Sequence, residues 1–97
     1  MLTHEEPLWP DGSIRLYNDG HLDLVGADGA VRRLVVAKLE GAEFGRRKHG
    51  RVPLTLRFKR TIGTRGVTVQ IDEATLPAVQ GLAAAALSDR DAAVARG

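Results

Sequence analysis

Near Thr75 the hydrophobic period of this chain changes, and that change limits the fold more than any other feature. Before it, short runs alternate apolar and polar residues with a period of two, as half-buried strands do. After it, TLPAVQGLAAAALSDRDAAVA sets Leu76, Val79, Leu82, Ala83, Ala86 and Leu87 on one helical face. Thr75 is the expected N-cap, Pro77 falls in the first turn where a missing N–H costs little, and Asp72 and Glu73 suit the positive end of the macrodipole.

RVPLTLRFK (51–59) is the cleanest strand: Val52, Leu54, Leu56 and Phe58 alternate with Pro53, Thr55, Arg57 and Lys59. Pro53 predicts that this strand begins at a sheet edge, because proline donates nothing to the ladder. SIRLY (13–17) and HLDLV (21–25) flank Asn18-Asp19-Gly20, a hairpin signal, with Ile14, Leu16, Leu22 and Leu24 inward and Asp23 outward. In 30–46, Val31, Leu34 and Val36 fit a third strand with an irregularity at Arg32-Arg33. Leu39, Ala42 and Phe44 fit a fourth, with a bulge at Gly41. GVTVQI (66–71) carries Val67, Val69 and Ile71 inward.

The expected architecture is α+β: an antiparallel meander roll or partly open barrel of about six to seven strands, capped by one C-terminal helix. A single domain covers 1–97, as a 97-residue length implies. It comprises an N-terminal arm (1–12), the meander (13–71), the capping helix (75–88) and a helix extension or tail (89–97).

Composition excludes several chemistries. With no cysteine there is no disulfide framework, thiolate zinc site or cysteine nucleophile, and a cytoplasmic location is expected. No apolar run reaches the roughly 20 residues of a membrane span. His4, His21 and His49 share no ligand spacing; His21 and Asp23 share a strand face but lack further ligands, so no metal or other cofactor is expected. Neither Ser13 nor Ser88 lies in a nucleophile elbow, and the pairs Glu5-Glu6 and Asp72-Glu73 fit terminal and helix-entry charge. An enzyme is the least expected class.

The net charge of +2 conceals segregation. Residues 1–30 carry one arginine against six acids, whereas residues 31–66 carry eleven Lys and Arg against Glu40 and Glu43. FGRRKHGR (44–51) concentrates this charge in a turn. It is a solvated hairpin, part of a polyanion surface made of Arg46, Arg47, Lys48, Arg51, Arg57 and Lys59, or a contact for a protein partner. Roughly 26 Å of strand separates Arg51 from Lys59, so only Arg57 and an arginine from 32–33 can join the two ends into a stripe. Aromatic interleaving is missing, so nucleic-acid affinity would be electrostatic and salt-sensitive. Trp9, between Pro7 and Pro10, either tucks the arm against the roll or anchors another chain. Tyr17 on the sheet surface, and Ala84 and Ala85 on a small-residue helix face, are further candidates for contact with a protein partner or a second copy.

The order of strands and helix, with RRLVVAKLEGAEFGRRKHGRVPLTLRF (32–58) as its middle, resembles a bacterial pleckstrin-homology-like (PH-like) domain of an uncharacterised actinobacterial type. The resemblance spans about 13–88. It implies seven strands, where six are clear here, and a binding scaffold without catalysis. Lipid-binding members of that family carry basic residues around the first hairpin; Asn18-Asp19-Gly20 stands there instead, so no inositol lipid is expected.

Overall fold

The computed structural model describes residues 1–96, without the side chain of Arg96. Seven antiparallel strands form two sheets, and one helix follows. The first sheet pairs β1 (Leu2–Leu8), β2 (Gly12–Tyr17), β3 (His21–Val25) and β4 (Val31–Val35) in chain order. A 3₁₀ turn at Val36–Lys38 leads into the second sheet, β5 (Leu39–Phe44), β6 (Arg51–Lys59) and β7 (Thr64–Asp72). Trp9 joins the sheets: its N–H donates to the Gln70 carbonyl on β7 at 2.9 Å. α1 (Leu76–Arg96) covers the apolar side. Gly97, the end of the expected tail, lies outside the described residues.

The core lies between the sheets and under the helix. Ile14, Leu16, Leu54, Leu56, Ile71, Val79 and Leu82 are its most enclosed large side chains. They are the alternating positions of β2, β6 and β7 and the helical stripe of α1. Arg90 fastens the far half of α1, its Nη1 donating to the Leu39 and Glu40 carbonyls at 3.1 Å each.

Several expectations are corrected. The segment 1–12 is not an arm: Leu2–Leu8 is a strand paired with β2. Most of its side chains are exposed, so pairing rather than a buried face holds it, and no alternation marks it. Arg32 and Arg33 bring no irregularity, since β4 pairs regularly with β3 from Val31 to Val35. Leu34 points inward, and the period of two then sends Val31, Arg33 and Val35 outward. Gly41 does lie at a register shift in β5. Pro53 sits in the central strand β6. Its carbonyl accepts the Gly45 N–H at 2.8 Å, just past the end of β5, and the reciprocal bond would need the N–H that proline lacks. Asp23 is on the outer face yet only 4% exposed, because Arg33 directly opposite covers it. At the helix entry Asp72 supplies a side-chain cap, ahead of the expected Thr75. Asp72 accepts from Ala74 N at 3.0 Å and opens a 3₁₀ turn, Glu73–Thr75, ahead of α1, and the Thr75 hydroxyl donates to the Asp72 carbonyl. Of the two alternatives for 89–97, the helix extension is the one seen: α1 runs on to Arg96.

Candidate functional site

The chain turns sharply after β1, and this turn sets out Trp9. Its backbone is fixed to β7, while the residue stays 45% exposed. The guanidinium carbon of Arg51 lies 4.0 Å from the ring centroid, a cation–π contact that holds one face of the indole. The main chain of Trp9 is thus tucked against β7, while the residue remains partly exposed.

Trp9 lines an open groove of about 530 Å³ with Leu8, Leu24, Val31, Val67 and Val69. Arg32 is its one charged lining residue. Strand parity accounts for this arginine. Opposite Leu24 it belongs to the inner side of the sheet, but at the open end, where it stays exposed. Gly12 lines the same groove, and a Cβ there would lie 2.3 Å from the Val25 carbonyl oxygen.

Arg51 also closes the hairpin that carries FGRRKHGR. Lys48 and Arg51 exchange backbone hydrogen bonds at 2.8 and 3.1 Å around His49 and Gly50, whose φ angles of 54° and 74° define a tight two-residue turn. The hairpin docks on the entry to α1, where the Glu73 N–H donates to the Gly50 carbonyl and Arg47 forms an ion pair with the Glu73 carboxylate. Arg46, Lys48, His49 and Arg51 line a cleft of about 490 Å³. Of the six residues proposed as a polyanion stripe, only part is free. Arg47 is engaged by Glu73, Arg51 lies on Trp9, and Arg57 makes two bonds to the Glu43 carboxylate at 3.0 and 3.3 Å. This last pair lowers the pKa of Glu43 through the guanidinium hydrogen bonds and raises that of Arg57. Lys59 stands at the far end of β6, away from the hairpin.

The remaining candidates fall elsewhere. The Tyr17 ring stacks on His21 with centroids 4.6 Å apart, and His21 Nδ1 lies 2.6 Å from an Asp19 oxygen. Asp23 is taken by Arg33, whose Nε and Nη2 donate to its two oxygens at 2.9 and 3.0 Å; these bonds hold the Asp23 carboxyl below its ordinary range. His21 and Asp23 thus face different partners. Ala83 and Ala86 are core, Ala84 is exposed, and Ala85 lines a cleft of about 490 Å³ with His4, Asp19 and Asp89. Trp9 and Ala85 consequently lie in separate concavities, and Tyr17 lines neither. Among the described residues, no three of His, Asp and Glu converge as a metal site would require, and no helix is long and apolar enough to cross a membrane.

One feature escaped sequence reasoning and another was seen only in part. The first is the groove wall from β7. The other is a second basic cleft where β4 and the following 3₁₀ turn meet the β6–β7 hairpin. The signal for the second lay in Lys59-Arg60, but Lys38 joins it only through the fold. Comparison with protein-family models, curated proteins and solved structures finds no match.

Proposed function

We propose that this chain is a non-catalytic interaction module of the PH-like type that binds a protein partner or a second copy of itself. The observation that carries it is the half-exposed Trp9, fixed from behind by Arg51 and set at the rim of an apolar groove. A rigid aromatic anchor beside a groove supplies binding energy at low entropic cost. A groove with one cation and no acid at its wall offers grip and no proton relay. The order of seven strands and one helix supports the PH-like assignment, since that is the number of strands the resemblance implies.

The test uses light scattering and affinity capture on the whole chain, with Trp9→Ala and Arg51→Ala compared against wild type. Association that survives moderate salt, vanishes in Trp9→Ala and weakens in Arg51→Ala is expected. A chain that stays monomeric and retains no partner, or whose association ignores Trp9, would overturn the proposal. The exposed Arg46 and Lys48 favour a second reading, contact with nucleic acid or another polyanion. It differs in its readout: binding would fall steeply with salt and would be abolished by reversing Arg46 and Lys48.

A further inference from the structure

We propose that Lys38, Lys59 and Arg60, with Arg33 beside them, form a binding site for a phosphate group. These four cations line a cleft of about 300 Å³, and no carboxylate lines it. The site is not a local charge run. Lys38 comes from the 3₁₀ turn, Arg33 from β4, and Lys59 and Arg60 from the end of β6 and the hairpin beyond it. The fold brings them together from both sheets.

The electrostatics of this cleft differ from those of the rest of the basic middle third. Arg47 and Arg57 are neutralised by carboxylates, and Arg51 rests on an indole. Lys38, Lys59 and Arg60 have no carboxylate partner among the described residues. Arg33 is a fixed element, because the buried Asp23 holds its Nε and Nη2 and leaves Nη1 outside that pair. Three unopposed cations in one concavity repel each other, and a bound dianion relieves that repulsion. Leu34, Val35 and Phe58 form an apolar floor, which focuses the field and can carry the organic substituent of a phosphomonoester. Thr61 adds a hydroxyl donor at the rim.

Two sources can supply such a phosphate: a soluble compound, or the headgroup of an anionic lipid. Ile62 distinguishes them. It stands at the hairpin tip next to the cleft and is 90% exposed. A headgroup in the cleft would bring Ile62 to the bilayer interface, whereas a soluble phosphate makes no use of it.

The experiment titrates the isotope-labelled whole chain with inorganic pyrophosphate and, separately, with phosphatidylglycerol vesicles against phosphatidylcholine controls. Amide shifts should gather at 33–38 and 58–62. Lys59→Glu with Arg60→Glu should weaken binding roughly tenfold or more, as expected when charge-assisted contacts are reversed. Arg46→Glu with Lys48→Glu should change it less than about twofold, because that hairpin lies beyond the Debye length of about 8 Å. All four side chains are exposed, so the spectra of the free variants verify that they fold. Vesicle binding that is lost in Ile62→Ser assigns the lipid headgroup. Pyrophosphate binding indifferent to Ile62→Ser, with vesicles left unbound, assigns a soluble phosphate. The proposal falls if neither probe binds, if the shifts gather at 46–51, or if reversing Arg46 and Lys48 costs as much as reversing Lys59 and Arg60. Loss of association in Trp9→Ala does not bear on this cleft, so the two proposals fail separately.

Discussion

Leu82→Ala tests the roof on which both surfaces depend. Leu82 is the largest side chain that α1 buries fully, at 1% exposure. Its fully buried companions on the helix are Val79 and two alanines, so the grip of the helix is concentrated at very few positions. The substitution removes three carbon atoms from that contact. At about 0.8 kcal/mol per buried methylene, the transfer loss is roughly 2.4 kcal/mol. A cavity left between two sheets and a helix relaxes only partly, which places the total at about 3 kcal/mol, inside the range of 2–5 found for such truncations. A domain of this size has roughly 5–15 kcal/mol of stability, so the loss is a large share. The thermal midpoint should fall by roughly 4–8 °C for each kcal/mol. Urea unfolding followed by circular dichroism measures it, with an unchanged m value showing that the two states keep their compactness. Ala84→Gln, on the exposed face of the same helix, should move stability by less than about 0.5 kcal/mol. The reasoning is refuted if Leu82→Ala costs under about 1 kcal/mol, or if Ala84→Gln costs as much as Leu82→Ala.

Gly12→Ala should destabilise the chain by about 1–3 kcal/mol, the usual range for overpacking. The added Cβ meets the Val25 carbonyl oxygen at 2.3 Å, and that atom is backbone, so β2 and β3 must shift together. A urea midpoint equal to wild type would disprove it. For Asp23, the folded-state pKa lies below the ordinary carboxylate value because Arg33 donates to both oxygens. The native state therefore binds this proton less readily than the unfolded chain. The contribution is complete above the ordinary carboxylate range and is lost as pH falls through the lowered value. Asp23→Asn should flatten the acid limb of the stability curve, measured as the urea midpoint against pH; parallel curves for the two proteins would refute it.

What the sequence makes legible is burial on one face. β2, β3, β6 and β7 alternate because each has one apolar side, and α1 announces itself by a change of period. β1 is illegible for the opposite reason. LTHEEPL has almost no buried face, and its place in the sheet comes from backbone pairing, which every residue but proline offers alike. Pro53 misled because the edge it implies is a property of one bond, not of a whole strand. The missing donor falls where β5 has already ended, so a central strand tolerates it. The groove at Trp9 needs β7 to arrive beside the β1–β2 turn, a contact between residues about sixty positions apart. No local pattern reports such a contact.

Charge shows the same division between composition and register. A count of residues 31–66 describes a strongly basic segment, but the fold decides which cations remain uncompensated. Asp23 lies directly opposite Arg33 and Glu5 opposite Arg15, so antiparallel register turns the acidic first third into partners for arginines. Arg57 finds Glu43 on the neighbouring strand, and Arg47 reaches Glu73 at the helix entry. These pairings clear the middle of β6 and leave free charge at its two ends, beside Trp9 and beside Phe58. A continuous stripe for a polymer backbone is thereby broken. What remains is two compact basic clefts, and compact sites of like charge suit small or terminal anions better than a chain of evenly spaced phosphates.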